Sequence, residues 1–182
     1  MIKYLSIFLF VNIIYAEDTF IYNSSISDSL PQHKANSLEL GDINNDNYLD
    51  LIISGYDETR NGIFFDVYNG TEIGSYEKSS ESYIVTYPDT IAEYLGGIGG
   101  VDLSDFNRDG YLDVYLHGSS KSRIFLNESG TLNELENDIG SLRILYSSAQ
   151  WGDVNMDGAP DLFLMAQEES NDIIWNKLYI QN

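Results

Sequence analysis

Three short stretches constrain this chain more than anything else in it: "LGDINNDNYLDLII" from Leu40, "LSDFNRDGYLDVYL" from Leu103 and "WGDVNMDGAPDLFL" from Trp151. In each, acidic or amide side chains stand at alternate positions and a bulky apolar run follows at once. Counted from the first Asp, position 1 is Asp42, Asp105 and Asp153, and position 3 is Asn44, Asn107 and Asn155. Position 5 is Asp46, Asp109 and Asp157; position 6 is Asn47, Gly110 and Gly158; position 9 is Asp50, Asp113 and Asp161. Unrelated turns would have no reason to share this register. The chain is built from repeats.

The loops start 63 and 48 residues apart, which suits supersecondary units with variable connections, as in propellers or arrays. Each loop leads into a short run rich in Leu, Ile, Val, Tyr and Phe: Leu49 to Ser54, Leu112 to His117 and Asp161 to Met165. Such runs, bounded by Gly or polar clusters, read as strands. Second strands follow at "GIFFDVYNG" from Gly62, "SRIFLNESG" from Ser122 and "NKLYIQN" from Asn176, and further ones at "ESYIVTY" from Glu81 and "LRILYSS" from Leu142. The segments before the loops, such as "SLELGD" and "SAQWGD", supply an innermost strand. Strand, acidic loop, strand, strand, strand makes the four-stranded antiparallel blade of a β-propeller. No segment keeps a helical period over three turns; Thr131 to Asp138 is the one stretch with room for a single turn. The expected fold is all-β, a partial β-propeller of about three four-stranded blades with repeats near 37–87, 96–146 and 147–182.

Side chains at alternating positions of a tight loop converge on one centre, and these offer only hard oxygen donors. That is Ca²⁺ chemistry rather than zinc or copper chemistry. The candidate ligands are the side chains at positions 1, 3, 5 and 9 of each loop and the backbone carbonyl at position 7, which is Tyr48, Tyr111 or Ala159. About three Ca²⁺ are expected, one per loop, each neutralising clustered charge so that binding energy becomes folding energy. Position 6 should turn with positive φ, which Gly allows and Asn tolerates. An EF-hand needs a Glu at position 12 and flanking helices. Here position 12 is Ile53, Leu116 and Leu164, which excludes it and argues against dockerin-type loops. Cysteine-rich calcium repeats are excluded because the chain has no Cys.

Taken together, these residues resemble the FG-GAP (VCBS-like) repeat of integrin α-subunit-type β-propellers, with "VYNG" and "IFLNESG" as trailing matches. The resemblance runs from about Phe20 to the end. It implies a loop joining the first and second strands of a blade and holding one Ca²⁺ at the propeller rim, with protein or glycan partners as in cell adhesion. Asn47 in place of the first loop's Gly, and Ser104 in place of the Gly before the second, depart from the pattern. The family's propellers close with about seven blades, so three imply either a piece of a longer protein or self-association to complete a ring.

The formal charge of −20 excludes nucleic acid as a partner, because phosphates would be repelled rather than neutralised. Nine of the 29 acidic residues lie in the loops, so part of the excess is ligand charge. At the N-terminus Lys3, an apolar run from Tyr4 to Tyr15 and small Ala16 form a secretory signal peptide over 1–16. The run falls short of the ~20 residues that cross a bilayer, and no later stretch spans one. The expected location is secreted. Sequons at Asn23, Asn69 and Asn127 agree with that route.

No catalytic residue is expected. His33 and His117 stand apart from any nucleophile motif, and no G-x-S-x-G occurs. The cluster "LGGIGG", Leu95 to Gly100, lacks the Lys of a phosphate loop and suits the start of a strand or a bulge. Trp151 and Trp175 are expected to pack between blades. The chain therefore reads as a secreted binding or adhesion module. The alternatives are a non-catalytic accessory segment of a secreted hydrolase or lyase, a soluble lectin, and a decayed gene fragment.

Overall fold

The computed structural model describes residues 30, 34–57, 62–86, 100–168, 170 and 172–181. The signal peptide, Asn23 and His33 lie outside them, and of the cluster from Leu95 only Gly100 is described, opening a strand. The described residues form three four-stranded antiparallel sheets and no α-helix. The first sheet runs in chain order: β1 (Lys34–Gly41), β2 (Asp50–Asp57), β3 (Gly62–Gly70) and β4 (Tyr76–Thr86). The second holds β5 (Gly100–Ser104), β6 (Asp113–His117), β8 (Arg123–Glu128) and β9 (Thr131–Leu135). The third holds β10 (Arg143–Gly152), β11 (Asp161–Glu168) and β12 (Ile174–Tyr179), with β7 (Ser119–Lys121) added on the far edge of β10. Each acidic loop joins the first and second strands of its repeat, as expected.

Two assignments change. Leu142 to Ser148 and the segment before the third loop are not two strands but one, β10. No Gly, Pro, Asn or Asp stands between Leu142 and Trp151 to turn the chain. The sheet instead takes up the misfit in a bulge between Leu145 and Ser148, where Tyr146 adopts φ 44°. The fourth strand of the second sheet is β9, in the stretch expected to make a helical turn. Ser129 and Gly130, with φ 55° and 94°, form a two-residue hairpin that pairs Glu128 with Thr131. Positive φ at both loop positions is the I′ geometry whose twist suits a hairpin.

The core follows from the period of two along each strand. Position 11 of one sheet faces positions 10 and 12 of the next. Ile52 of β2 packs in one cluster with Val114 and Leu116 of β6. Tyr115 of β6, pointing the other way, packs with Leu162 and Leu164 of β11. Side chains of β3, β4 and β8 thicken the first interface: the Phe125 ring meets Phe65 edge-on at 5.0 Å and Tyr83 at 4.4 Å. The sheets thus stack in chain order like successive blades, and the described residues close no ring. Phe125 is 1% exposed at the centre of that cluster. Phe125→Ala should therefore cost about 3–5 kcal/mol, read as a lowered urea midpoint at unchanged slope.

Candidate metal loops and the bonds that hold them

The three loops share one hydrogen-bond pattern. In the first, the Asp46 N–H donates to Asp42 Oδ1 and to Asn44 Oδ1, both at 2.9 Å. The Asn47 N–H donates to Asp42 Oδ2 at 2.7 Å, and the Tyr48 N–H to Asp46 Oδ1 at 2.8 Å. Asn44 Nδ2 donates to Asp46 Oδ2 at 2.9 Å. The same five bonds recur around Asp105, Asn107 and Asp109, and around Asp153, Asn155 and Asp157. Successive N–H groups thus draw positions 1, 3 and 5 to the inside of one turn.

Position 6 has φ of 72°, 91° and 88° at Asn47, Gly110 and Gly158, as the sequence requires. Position 4 is also left-handed, with φ of 58°, 61° and 62° at Asn45, Arg108 and Met156. Sequence gives no sign of this, since Asn, Arg and Met share no preference for the region. For Arg and Met it costs of order 1–3 kcal/mol, carried by the surrounding bonds.

Position 9 stands apart from the turn. Asp50, Asp113 and Asp161 are at most 2% exposed. Their Oδ2 atoms accept the N–H of loop position 2, from Ile43 at 2.9 Å, Phe106 at 2.8 Å and Val154 at 2.9 Å. Their Oδ1 atoms accept an N–H from the end of the third strand of the repeat: Gly70 at 2.8 Å, Asn127 at 2.7 Å and Gln181 at 3.0 Å. Each carboxylate therefore ties the start of its loop to the end of the third strand, which pairs with its own strand in the same sheet.

A second set of bonds crosses between sheets. Asn127 Nδ2 donates to the Ile43 carbonyl at 2.6 Å and to Leu112 at 3.0 Å, and Gln181 Nε2 donates to the Phe106 carbonyl at 2.9 Å. In both cases the amide at the end of a third strand holds the position-2 carbonyl of the preceding loop. Asn45 Nδ2 adds a direct link to the Gly110 carbonyl of the next loop at 3.1 Å. The sequence shows these amides only as the Asn of "FLNESG" and the Gln of "YIQN". Asn127 was expected to carry a glycan; instead it is fully buried, with Nδ2 in two bonds and Oδ1 accepting the Gly130 N–H. A sugar on that nitrogen would displace the contacts that join the first two sheets. Asn69, at the end of β3, is half-buried, and Asn23 lies outside the described residues.

Burial raises the pKa of Asp50 and Asp113; their backbone N–H donors pull it down, and the nearby charges of Asp46 and Asp109 push it further up. Asp157 lies below the ordinary range, held there by the Ala159 N–H and then the Asn155 amide. Among the described residues no three acidic or histidine side chains gather into a metal-holding group. Each turn joins two carboxylates and one carboxamide. All these donors are hard oxygens, and a carboxylate oxygen that accepts one N–H keeps a second lone pair. The donor set fits an oxygen-liganded cation such as Ca²⁺.

Residues 105–164 match the model of the FG-GAP-like repeat, to which that span of the chain is similar. The match holds the second loop, the third loop and β6 through β10. The first loop lies outside it and has the same bonds. Neither the curated proteins nor the solved structures contain a match to the chain.

The other singled-out residues fall in the core. Trp151 meets Phe106 and Tyr115 edge-on at 5.8 Å, and Trp175 packs against the same cluster beneath Lys177, whose Nζ is 4.2 Å from the ring. His117 does end a strand, as expected, but it is buried and bonded at both ring nitrogens.

The raised pKa values set a sign. A carboxyl whose folded pKa exceeds its unfolded one contributes stability that is present at low pH and is lost as pH rises through the folded value. With chelator, acidification from neutral pH toward the carboxyl range should raise the thermal midpoint through Asp50 and Asp113, which take up a proton in the folded state before they do in the unfolded one. Asp157, shifted the other way, opposes that trend only as pH falls below the ordinary carboxylate range. Excess Ca²⁺ should reverse the slope. Midpoints that fall with acidification in chelator would contradict this account.

Proposed function

We propose that the chain is a secreted binding module of the β-propeller type, with one structural Ca²⁺ in each acidic loop. The observation that carries the reading is the identical bond pattern of the three turns. Each sets two carboxylates and an amide oxygen inward, and in the first two loops the position-5 carboxylate repels a buried position-9 carboxylate. A cation relieves that repulsion and neutralises part of a charge of −20. The ligands are Asp42, Asn44, Asp46 and Asp50, with their counterparts in the other loops, and the carbonyls of Tyr48, Tyr111 and Ala159. Native mass spectrometry of the full chain should show three Ca²⁺, lost on chelation with a fall in thermal midpoint. An unchanged mass and midpoint on chelation would overturn the reading.

The outer face of the third sheet supports the binding part. Phe163, Met165 and Leu178 point away from the core and are each 45% exposed. Loop position 2 tells the same story along the stack. Ile43 is 4% exposed beneath the second sheet, Phe106 is half-buried beneath the third, and Val154 is 60% exposed. Gly41 touches Leu103 and Leu112 of the next sheet, whereas its counterpart Gly152 has nothing within 4 Å of where a Cβ would stand. These are the marks of a surface shaped to receive another blade, and a second copy of the chain supplies one. The first sheet's outer face presents Leu38 and Leu40, 61% and 50% exposed, beside Leu51 and Ile53. Leu51 and Ile53 are already covered, at 6% and 7% exposed, so Phe163 of one copy would rest on Leu38 and Leu40 of the other. Gly70 stands where Asn127 and Gln181 stand in the other sheets and offers no amide, so the junction is apolar alone. Sedimentation should show concentration-dependent association, abolished by Phe163→Asp at little cost in thermal midpoint. A monomer at every concentration tested would refute it and leave the face to a further blade or another protein.

A further inference from the structure

Away from the loops, the inner strands of the three sheets enclose a cavity of about 270 Å³. Ser37 and Glu39 of β1, Asp102 of β5, His117 of β6, and Ser147 and Gln150 of β10 line it. His117 is 3% exposed. Its Nε2 lies 2.6 Å from Asp102 Oδ2, and its Nδ1 lies 2.5 Å from Ser147 Oγ. The ring stacks on Tyr115 at 5.2 Å. Gly100 leaves the space that the ring fills: a Cβ there would lie 2.6 Å from Nε2. Ser147 sits in the β10 bulge, directly after Tyr146, whose positive φ is costly for a bulky aromatic residue. Strain is therefore held at the point where a serine hydroxyl meets a buried imidazole.

The geometry points to a catalytic site in this cavity: Ser147 as nucleophile, His117 as its general base and Asp102 as the carboxylate that orients the ring, acting on short-chain esters of polar alcohols. With its proton on Nε2, His117 donates to Asp102 and offers the Nδ1 lone pair to the Ser147 hydroxyl. The nitrogens are used in the opposite sense to the usual serine triad, but the division of labour is the same: one donates while the other accepts. Ser147 Oγ bonds to the ester carbonyl carbon as its proton passes to Nδ1. The bond to the alcohol oxygen then breaks, and that oxygen leaves with the proton from Nδ1. Water adds to the acyl-serine, giving its proton to Nδ1, and Oγ departs with that proton as the carboxylic acid is released. Ester and water become acid and alcohol, with no other reactant. The Gln150 carboxamide on the same wall carries an N–H donor for the oxyanion.

The lining sets the substrate class. The cavity is small and mostly polar, which suits a short acyl group on a hydroxyl-rich alcohol and excludes a long alkyl chain. Glu39 and Asp102 face it without a Lys or Arg among the lining residues. Burial, and then the charge of Asp102, raise the Glu39 pKa. The field is negative, so anionic esters are disfavoured. None of these residues belongs to the acidic loops, and the site does not depend on the calcium reading.

The test is covalent labelling of the full chain with a fluorophosphonate, read by intact mass and peptide mapping. One adduct is expected, on Ser147, and it should be absent from Ser147→Ala. In His117→Gln the labelling rate should fall about 10²–10⁴-fold, the range of a general base. Asp102→Asn should lower kcat for p-nitrophenyl acetate far more than it raises KM, at a thermal midpoint close to that of the wild type. Absence of an adduct on the folded wild-type chain, or an adduct on Ser148 or elsewhere, would overturn the proposal whatever the variants do.

Discussion

Everything else in this fold depends on one carboxylate per repeat, the buried Asp at loop position 9. Its two oxygens accept N–H groups from two different segments at the same end of the sheet: the start of the acidic loop and the end of the third strand. Removing such an acceptor would leave two buried N–H groups unsatisfied, at ~1–3 kcal/mol each. The loop is therefore a fixed part of the sheet rather than a surface excursion. That rigidity lets positions 1, 3 and 5 face inward with the same bonds three times over, despite different residues at positions 2, 4 and 7.

The same carboxylate creates the electrostatic problem that the proposed cation would answer. A buried anion needs compensation, and the N–H donors supply part of it, as their downward pull on the Asp50 and Asp113 pKa values shows. The position-5 carboxylate works against them. The third loop differs: Asp157 is held low, with Arg108 of the second loop among the smaller causes. Three loops of one design therefore differ in their electrostatics. The residue at position 4 decides how a loop speaks to the next, through Asn45 to the Gly110 carbonyl, through Arg108 to Asp157, and through the 90% exposed Met156 to nothing described.

Most of the architecture was legible because it rests on local rules. Short apolar runs bounded by Gly or polar clusters marked β2, β3, β6 and β11, and β3 fell on Gly62–Gly70 as read. Positive φ at position 6 followed from the Gly and Asn found there. The misreadings came where no single residue carries the signal. Leu142–Gly152 looks like two strands because a repeat boundary falls inside it, yet no Gly, Pro, Asn or Asp stands between Leu142 and Trp151, so one strand persists through a bulge. Thr131–Asp138 has the composition of a helical turn, but the preceding Ser129-Gly130 pair commits it to a hairpin. The bonds between sheets were out of reach for a different reason. Asn127 reads as a sequon by its neighbours in sequence, and its role is set by Ile43, which is 84 residues away.

His117 shows the same limit at the candidate catalytic cavity. Nothing near it in sequence suggests a nucleophile, because Asp102 lies on β5 and Ser147 on β10. Stacking the sheets brings these inner strands together, and residues of all three repeats line the cavity between them. The acidic loops and the cavity are thus two products of one arrangement. Repetition gives each sheet the same loop on its rim, while the departures from repetition, Gly100 rather than a larger residue and a bulge rather than a straight strand at Ser147, fall on the inner strands. A repeat fold keeps its shape through what recurs, and chemistry particular to one chain is found where the repeats stop agreeing.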